Sequence, residues 1–243
     1  MKVQAAWAEF RGDLGATLNA WAKAPALPLV SLVLGLIPAL GTGSGWFVLL
    51  YFLFCVALVG WYGTERIWYL RVFRGKRMAP SELVRFSGAF IMPFFLLGLI
   101  SSLVAVPLTV LAVFASSGDY SGWIHYVFVY IPLDVLLTFM TPALAFSTRS
   151  PFEAFSVGIN MLIKEWPRCI WYALAPPLAA LVAIQTIPAI GSRVALTAAA
   201  TLLNLWFKGA TAAYYLRRHE VGDNGSLTVP EVLRAVESGA EDL

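Results

Sequence analysis

Charged residues are sparse along this chain, and the lengths of the apolar runs between them set the architecture. The stretch 24–64, between Lys23 and Glu65, carries no charge. As one helix it would extend about 60 Å, twice the hydrocarbon core of a bilayer. It must therefore fold back, and Gly41-Thr42-Gly43-Ser44-Gly45 is the natural turn. This predicts membrane segments at about 24–40 and 46–62. The first is short and contains Pro28 and Pro38, so a re-entrant limb is the alternative for this hairpin. The charge-free runs 86–118 and 169–192 repeat the pattern, with turns at Gly118-Asp119-Tyr120-Ser121-Gly122 and Gly191-Ser192-Arg193. Four more segments follow, at about 87–117, 123–146, 169–190 and 194–216. The expected fold is an all-α polytopic integral membrane protein, six transmembrane helices forming three hairpins.

Periodic stretches lie between these runs. Val3, Trp7, Phe10, Leu14, Leu18 and Trp21 recur at helical spacing, so residues 1–23 are expected to form an amphipathic helix on the membrane surface. Phe152, Phe155, Ile159, Leu162 and Trp166 predict a second interfacial helix over 151–166. It opens on Ser150-Pro151-Phe152-Glu153, a capping box with proline at the first helical position. Ala79-Pro80-Ser81-Glu82 begins a comparable stretch before the middle hairpin. The chain thus reads as three copies of an interfacial helix followed by two membrane segments, a membrane domain over 24–218. Residues 219–243 form an acidic tail, in which Thr228-Val229-Pro230-Glu231 predicts a short helix over 229–238. Opposite charge would dock this helix on the basic loop containing Arg71 to Arg77.

Composition agrees with the run lengths. The chain is 59% hydrophobic and 13% charged, against about 45–50% and 25% in soluble proteins. A soluble catalytic domain or a nucleotide-binding loop would need polar sequence that this chain lacks. The net charge of +3 is too small to indicate nucleic acid. Cys55 and Cys169 each lie in apolar sequence and read as packing residues. The charges of residues 1–23 interrupt any signal-peptide core. Every Lys and Arg except Arg193 falls on one side of the six-segment arrangement. The positive-inside rule therefore places both termini in the cytoplasm, and the chain in a cell inner (plasma) membrane of bacterial type.

The hairpin pattern, with Pro142-Ala143-Leu144-Ala145-Phe146 leading to Glu153-Ala154-Phe155-Ser156 and Lys164, resembles the polytopic membrane domain attached to some bacterial glycerophosphodiester phosphodiesterases and its uncharacterised stand-alone relatives. No phosphodiesterase barrel accompanies it here. The resemblance therefore implies a membrane-embedded accessory role and no catalytic residues.

Candidate chemistry concentrates in two places. Asp134 sits midway along the fourth segment beside Pro132, where a carboxylate costs about 2.5–3.5 kcal/mol and must face protein or water. Lys208 and Asn204 in the sixth segment are its expected partners in a midplane polar cluster. That cluster is either a proton or cation site or a structural pair. Arg66, Arg71, Arg74, Lys76 and Arg77 form a basic run beside the cytoplasmic leaflet, read either as a topology signal or as a contact for anionic lipid. Pro93, Pro107, Pro132, Pro142, Pro176, Pro177 and Pro188 are packing kinks or gating hinges. Ser44 and His125 share the outer side without a serine-hydrolase spacing, and His219 reads as a tail residue. No nucleophile, metal cluster or carboxylate pair has usable spacing. The expectation is a non-enzymatic, cofactor-free protein of accessory, assembly or lipid-associated type. Its partners would be the lipid bilayer, a membrane protein or a second copy of itself. A small permease or exporter centred on Asp134 is the alternative.

Reporter fusions at the two termini are expected to read cytoplasmic, and fusions near Gly43 and Ser121 external. A terminus found outside would overturn the hairpin count.

Overall fold

The computed structural model describes residues 2–37, 45–115, 126–186 and 193–220. The expected tail helix over 229–238 and most of the three expected turns, with Gly43, Ser44, Ser121 and His125, lie outside them. Eight α-helices and no strands are present among the described residues: α1 (Lys2–Lys23), α2 (Ala26–Leu36), α3 (Gly45–Phe73), α4 (Pro80–Ala115), α5 (Ile131–Phe146), α6 (Pro151–Lys164), α7 (Ile170–Thr186) and α8 (Arg193–Glu220). A π-helical turn, Tyr126–Tyr130, leads into α5.

Two helices, Pro80–Phe114 and Val127–Phe146, are long and apolar enough to cross a membrane. A third span is available if α1 and α2, which meet at 95°, are taken as one broken element. With 11 residues α2 is about 16 Å long, half a hydrocarbon core. In α4, Leu103 is 73% exposed and Phe114 77%. Large apolar side chains left open along such a length face lipid in a bilayer. Helix α4 continues through Pro93 and Pro107, and α5 through Pro142.

Both predicted proline-led helix starts are present, each with a variation in its cap. Ser150 Oγ accepts the Glu153 N–H at the start of α6. Glu153 itself takes the Thr148 hydroxyl, and Thr148 Oγ1 accepts the Ser150 N–H at 3.0 Å, so the cap is closed through an intermediate hydroxyl. At α4, Glu82 accepts the Ala79 N–H at 2.8 Å and also binds Arg71 at 2.7 Å. One carboxylate thus satisfies a helix end and fastens the α3–α4 connection.

The packing face of α1 only partly follows the apolar stripe. Ala6, Phe10, Asp13, Thr17 and Ala20 are buried, while Val3, Trp7 and Leu18 face outward. Lipid chains are as apolar as leucine, so helix contacts in a membrane favour small and polar residues over large apolar ones. The contact between α1 and α8 follows that rule. A β-carbon at Gly209 would stand 2.3 Å from Thr17 Cγ2, so only glycine admits this approach. The Trp206 indole donates to Leu14 O at 2.8 Å, and the Trp21 indole reaches Tyr69, whose hydroxyl donates to Leu205 O at 3.0 Å.

Asp13, 1% exposed, is the ionic centre of this contact. Its carboxylate receives the Tyr172 hydroxyl and both terminal nitrogens of Arg217. The bond to Asp13 holds the Arg217 guanidinium above its ordinary basicity. Glu9 takes Arg217 and Arg218, and Arg218 also lies 3.7 Å from Glu165. One network thereby joins α1, α7, α8 and the α6–α7 connection.

Helices α3 and α4 approach as closely. A β-carbon on Gly60 would stand 2.3 Å from the Ser87 carbonyl oxygen, a backbone atom that cannot swing aside. Gly60→Ala is therefore expected to destabilise the protein by about 1–3 kcal/mol, whereas Gly88→Ala, with nothing within 4 Å, is expected to be neutral or slightly stabilising. Melting temperatures of the two variants in detergent check this, and equal values would refute the close contact.

Candidate functional site

Two helices of the bundle carry polar stripes on otherwise apolar surfaces. In α5, Asp134, Thr138 and Thr141 follow at i, i+4 and i+7; in α8, Thr197, Thr201, Asn204, Lys208 and Thr211 keep the same spacing. The stripes face each other across a cavity of about 800 Å³ bounded by α3, α4, α5, α7 and α8. Its volume lies within the range of about 300–1,000 Å³ typical of ligand sites. Much of the remaining wall is apolar, including Val59, Phe94, Leu97, Leu137, Pro176 and Ala180.

Asp134 from one stripe and Asn204 and Lys208 from the other all line this cavity, so the structure brings the three to one chamber. It does not join them as an ion pair. Lys208 Nζ lies 2.7 Å from Glu65 Oε1, at an angle outside hydrogen-bonding geometry, and 4.2 Å from the centre of the Tyr62 ring. The Asp134 carboxylate has no ion pair or hydrogen bond among the described residues; its backbone oxygen accepts the Thr138 hydroxyl. The expected Asp134–Lys208 pair is thus corrected to Glu65–Lys208. The reason is burial: Glu65 is 2% exposed, and an enclosed carboxylate requires the nearest cation.

The basic run is also divided. Arg66 is 4% exposed and points inward, its guanidinium donating to Thr141 Oγ1 at 2.6 Å and to Lys208 O at 3.4 Å. It is no surface contact for a leaflet. Arg71 is held by Glu82, and Arg74, Lys76 and Arg77 are exposed at the α3–α4 connection. Glu65 is the site residue that sequence reasoning missed, because it served only to end an apolar run, and Arg66 was expected in the surface run and not on the cavity wall. Their signal was positional: α3 runs on unbroken to Phe73, so Thr64-Glu65-Arg66 lies inside a helix among Trp61, Trp68 and Tyr69.

Among the described residues no group of His, Cys, Asp and Glu converges to hold a metal ion. What the arrangement offers is a largely apolar chamber with charged groups concentrated on one side, suited to binding a molecule of mixed polarity. No family model, curated protein or solved structure matches the chain.

Lys208→Met should leave Glu65 enclosed and unpaired and cost about 3 kcal/mol, while combining it with Glu65→Met should recover most of the loss. Asp134→Asn should leave the melting temperature unchanged. Thermal unfolding of these three variants and of Glu65→Met alone in detergent checks both, and an additive double variant would refute the pair.

Proposed function

We propose that this chain is an inner-membrane protein of six membrane segments with both termini in the cytoplasm. On this reading it is a lipid-associated accessory component that works without catalysis, as the resemblance drawn from Pro142 to Lys164 also suggests. The observation that carries the reading is the cavity of about 800 Å³ among α3, α4, α5, α7 and α8. Its apolar walls accept acyl chain, and its polar stripes accept a headgroup. The helices long and apolar enough to span, together with the bent α1–α2 pair, support the membrane placement.

A small permease or exporter is the second reading. The Asp134 carboxylate on the cavity wall, without an ion pair among the described residues, favours it, since ionisable groups facing intramembrane cavities mark transport paths. The two differ in what Asp134→Asn does: the transport reading loses flux across reconstituted vesicles, and the lipid-associated reading loses nothing.

Native mass spectrometry of the detergent-purified protein tests the leading reading. The wild type is expected to retain lipid that Ala200→Trp, which fills the cavity, loses. Equal retention by the two would overturn the cavity as the lipid site.

A further inference from the structure

The two cations on the cavity wall are not equivalent. Lys208 is balanced by Glu65 at 2.7 Å. Arg66, although nearly fully enclosed, donates only to neutral oxygens, the Thr141 hydroxyl and the Lys208 carbonyl. A guanidinium carries five N–H donors in a fork shaped for carboxylate or phosphate. Glu65 is shared with Lys208 and makes no hydrogen bond to Arg66 among the described residues, so the guanidinium is enclosed without an anion on its fork, and a ligand that supplies one offsets that cost. Asp134 stands seven residues outward from Thr141 on α5, about 10 Å along the helix, and so is displaced from the Arg66 level.

Depth points the same way. Arg66 is 21 residues beyond Gly45, the first residue of α3, which puts it about 31 Å along the helix from its outer end. The Lys208 carbonyl that Arg66 touches lies 15 residues beyond Arg193, the first residue of α8, about 22 Å along that helix, so in the six-segment arrangement Arg66 stands in the inner half of a hydrocarbon core about 30 Å thick. From there the apolar wall formed by Val59, Leu97, Leu137 and Pro176 borders the space open to a chain.

We infer that the cavity binds an anionic amphiphile, its phosphate or carboxylate on Arg66 and its acyl chain along the apolar wall. The inference rests on the lipid-associated reading and adds the headgroup charge. Arg66 is the residue that selects it, and Lys208, balanced by Glu65, is not the primary contact.

The test is competitive retention in native mass spectrometry, with phosphatidylglycerol and phosphatidylcholine of identical chains added to the purified full-length protein. The wild type is expected to favour phosphatidylglycerol about tenfold, the order of one charge-assisted contact. Arg66→Gln should bring the ratio to one while lipid is still retained. Arg66→Lys, which keeps the charge and loses the fork, should give an intermediate ratio and covers the case in which Arg66→Gln does not fold. Equal retention by the wild type, or an unchanged ratio in Arg66→Lys or Arg66→Gln, overturns the inference. Inorganic phosphate and glycerol 3-phosphate distinguish the source of the anion. They should leave the melting temperature unmoved, and stabilisation by either alone overturns the amphiphile. Ala200→Trp separates the two levels: if it loses no lipid, the cavity reading fails whatever the headgroup ratio, whereas loss with a ratio of one in the wild type removes only the role of Arg66.

Discussion

A carboxylate taken fully out of water requires a cation, and in this protein that requirement ties α1 and α3 to α8. Asp13 is enclosed and holds Arg217 and Tyr172. Glu65 is enclosed and holds Lys208. Each carboxylate sits on a helix that is then committed to α8. Around these points glycine and hydroxyl residues let the backbones close in, as at Gly209 against Thr17 and at Thr64, which hydrogen-bonds Ser87 on α4 at 3.0 Å. The aromatic side chains of the core pack around contacts already selected by charge and size.

The same requirement separates the inner part of the bundle from the rest. Arg66, Tyr69, Phe146, Tyr172 and Tyr215 are buried near the charged ends of α3, α5, α7 and α8, whereas much of α4 turns large apolar side chains outward. Tyr215 shares a 2.6 Å hydrogen bond with Ser147, drawing the end of α5 onto α8. The cavity lies where this tight packing gives way, which explains why charged and apolar surfaces meet on its wall.

Much of the fold was legible because helix starts are local chemistry. Ser150-Pro151-Phe152-Glu153 and Ala79-Pro80-Ser81-Glu82 need only their own four residues to declare a helix, and the charge-free runs declare apolar helices by length alone. The contact face of α1 was half legible: Phe10, Leu14 and Trp21 of the apolar stripe do pack on the core, whereas Val3, Trp7 and Leu18 stay largely exposed and the buried Asp13 and Thr17 lie off the stripe. The candidate site was half legible. Asp134, Asn204 and Lys208 do converge on one cavity, since an ionisable residue in an apolar segment must face inward. Choosing Glu65 over Asp134 as the partner of Lys208 depends on how far α3 continues and how it is rotated, neither of which run length encodes.

The contact between α1 and α8 joins opposite ends of the chain, with Asp13 and Arg217 separated by 204 positions. At translation rates of about 5–20 residues per second, the carboxylate emerges about 10–40 s before its guanidinium. During that interval Asp13 lacks its cation and can take only the Tyr172 hydroxyl once α7 is made, so the α1 contact stays without its ion pair. The outward part of the amphipathic stripe suits this interval, since Val3, Trp7 and Leu18 give the helix a surface to rest on. Synthesis of α8 then closes the bundle. The ion pair thus joins a helix to one made much later, and its closure waits on synthesis of α8.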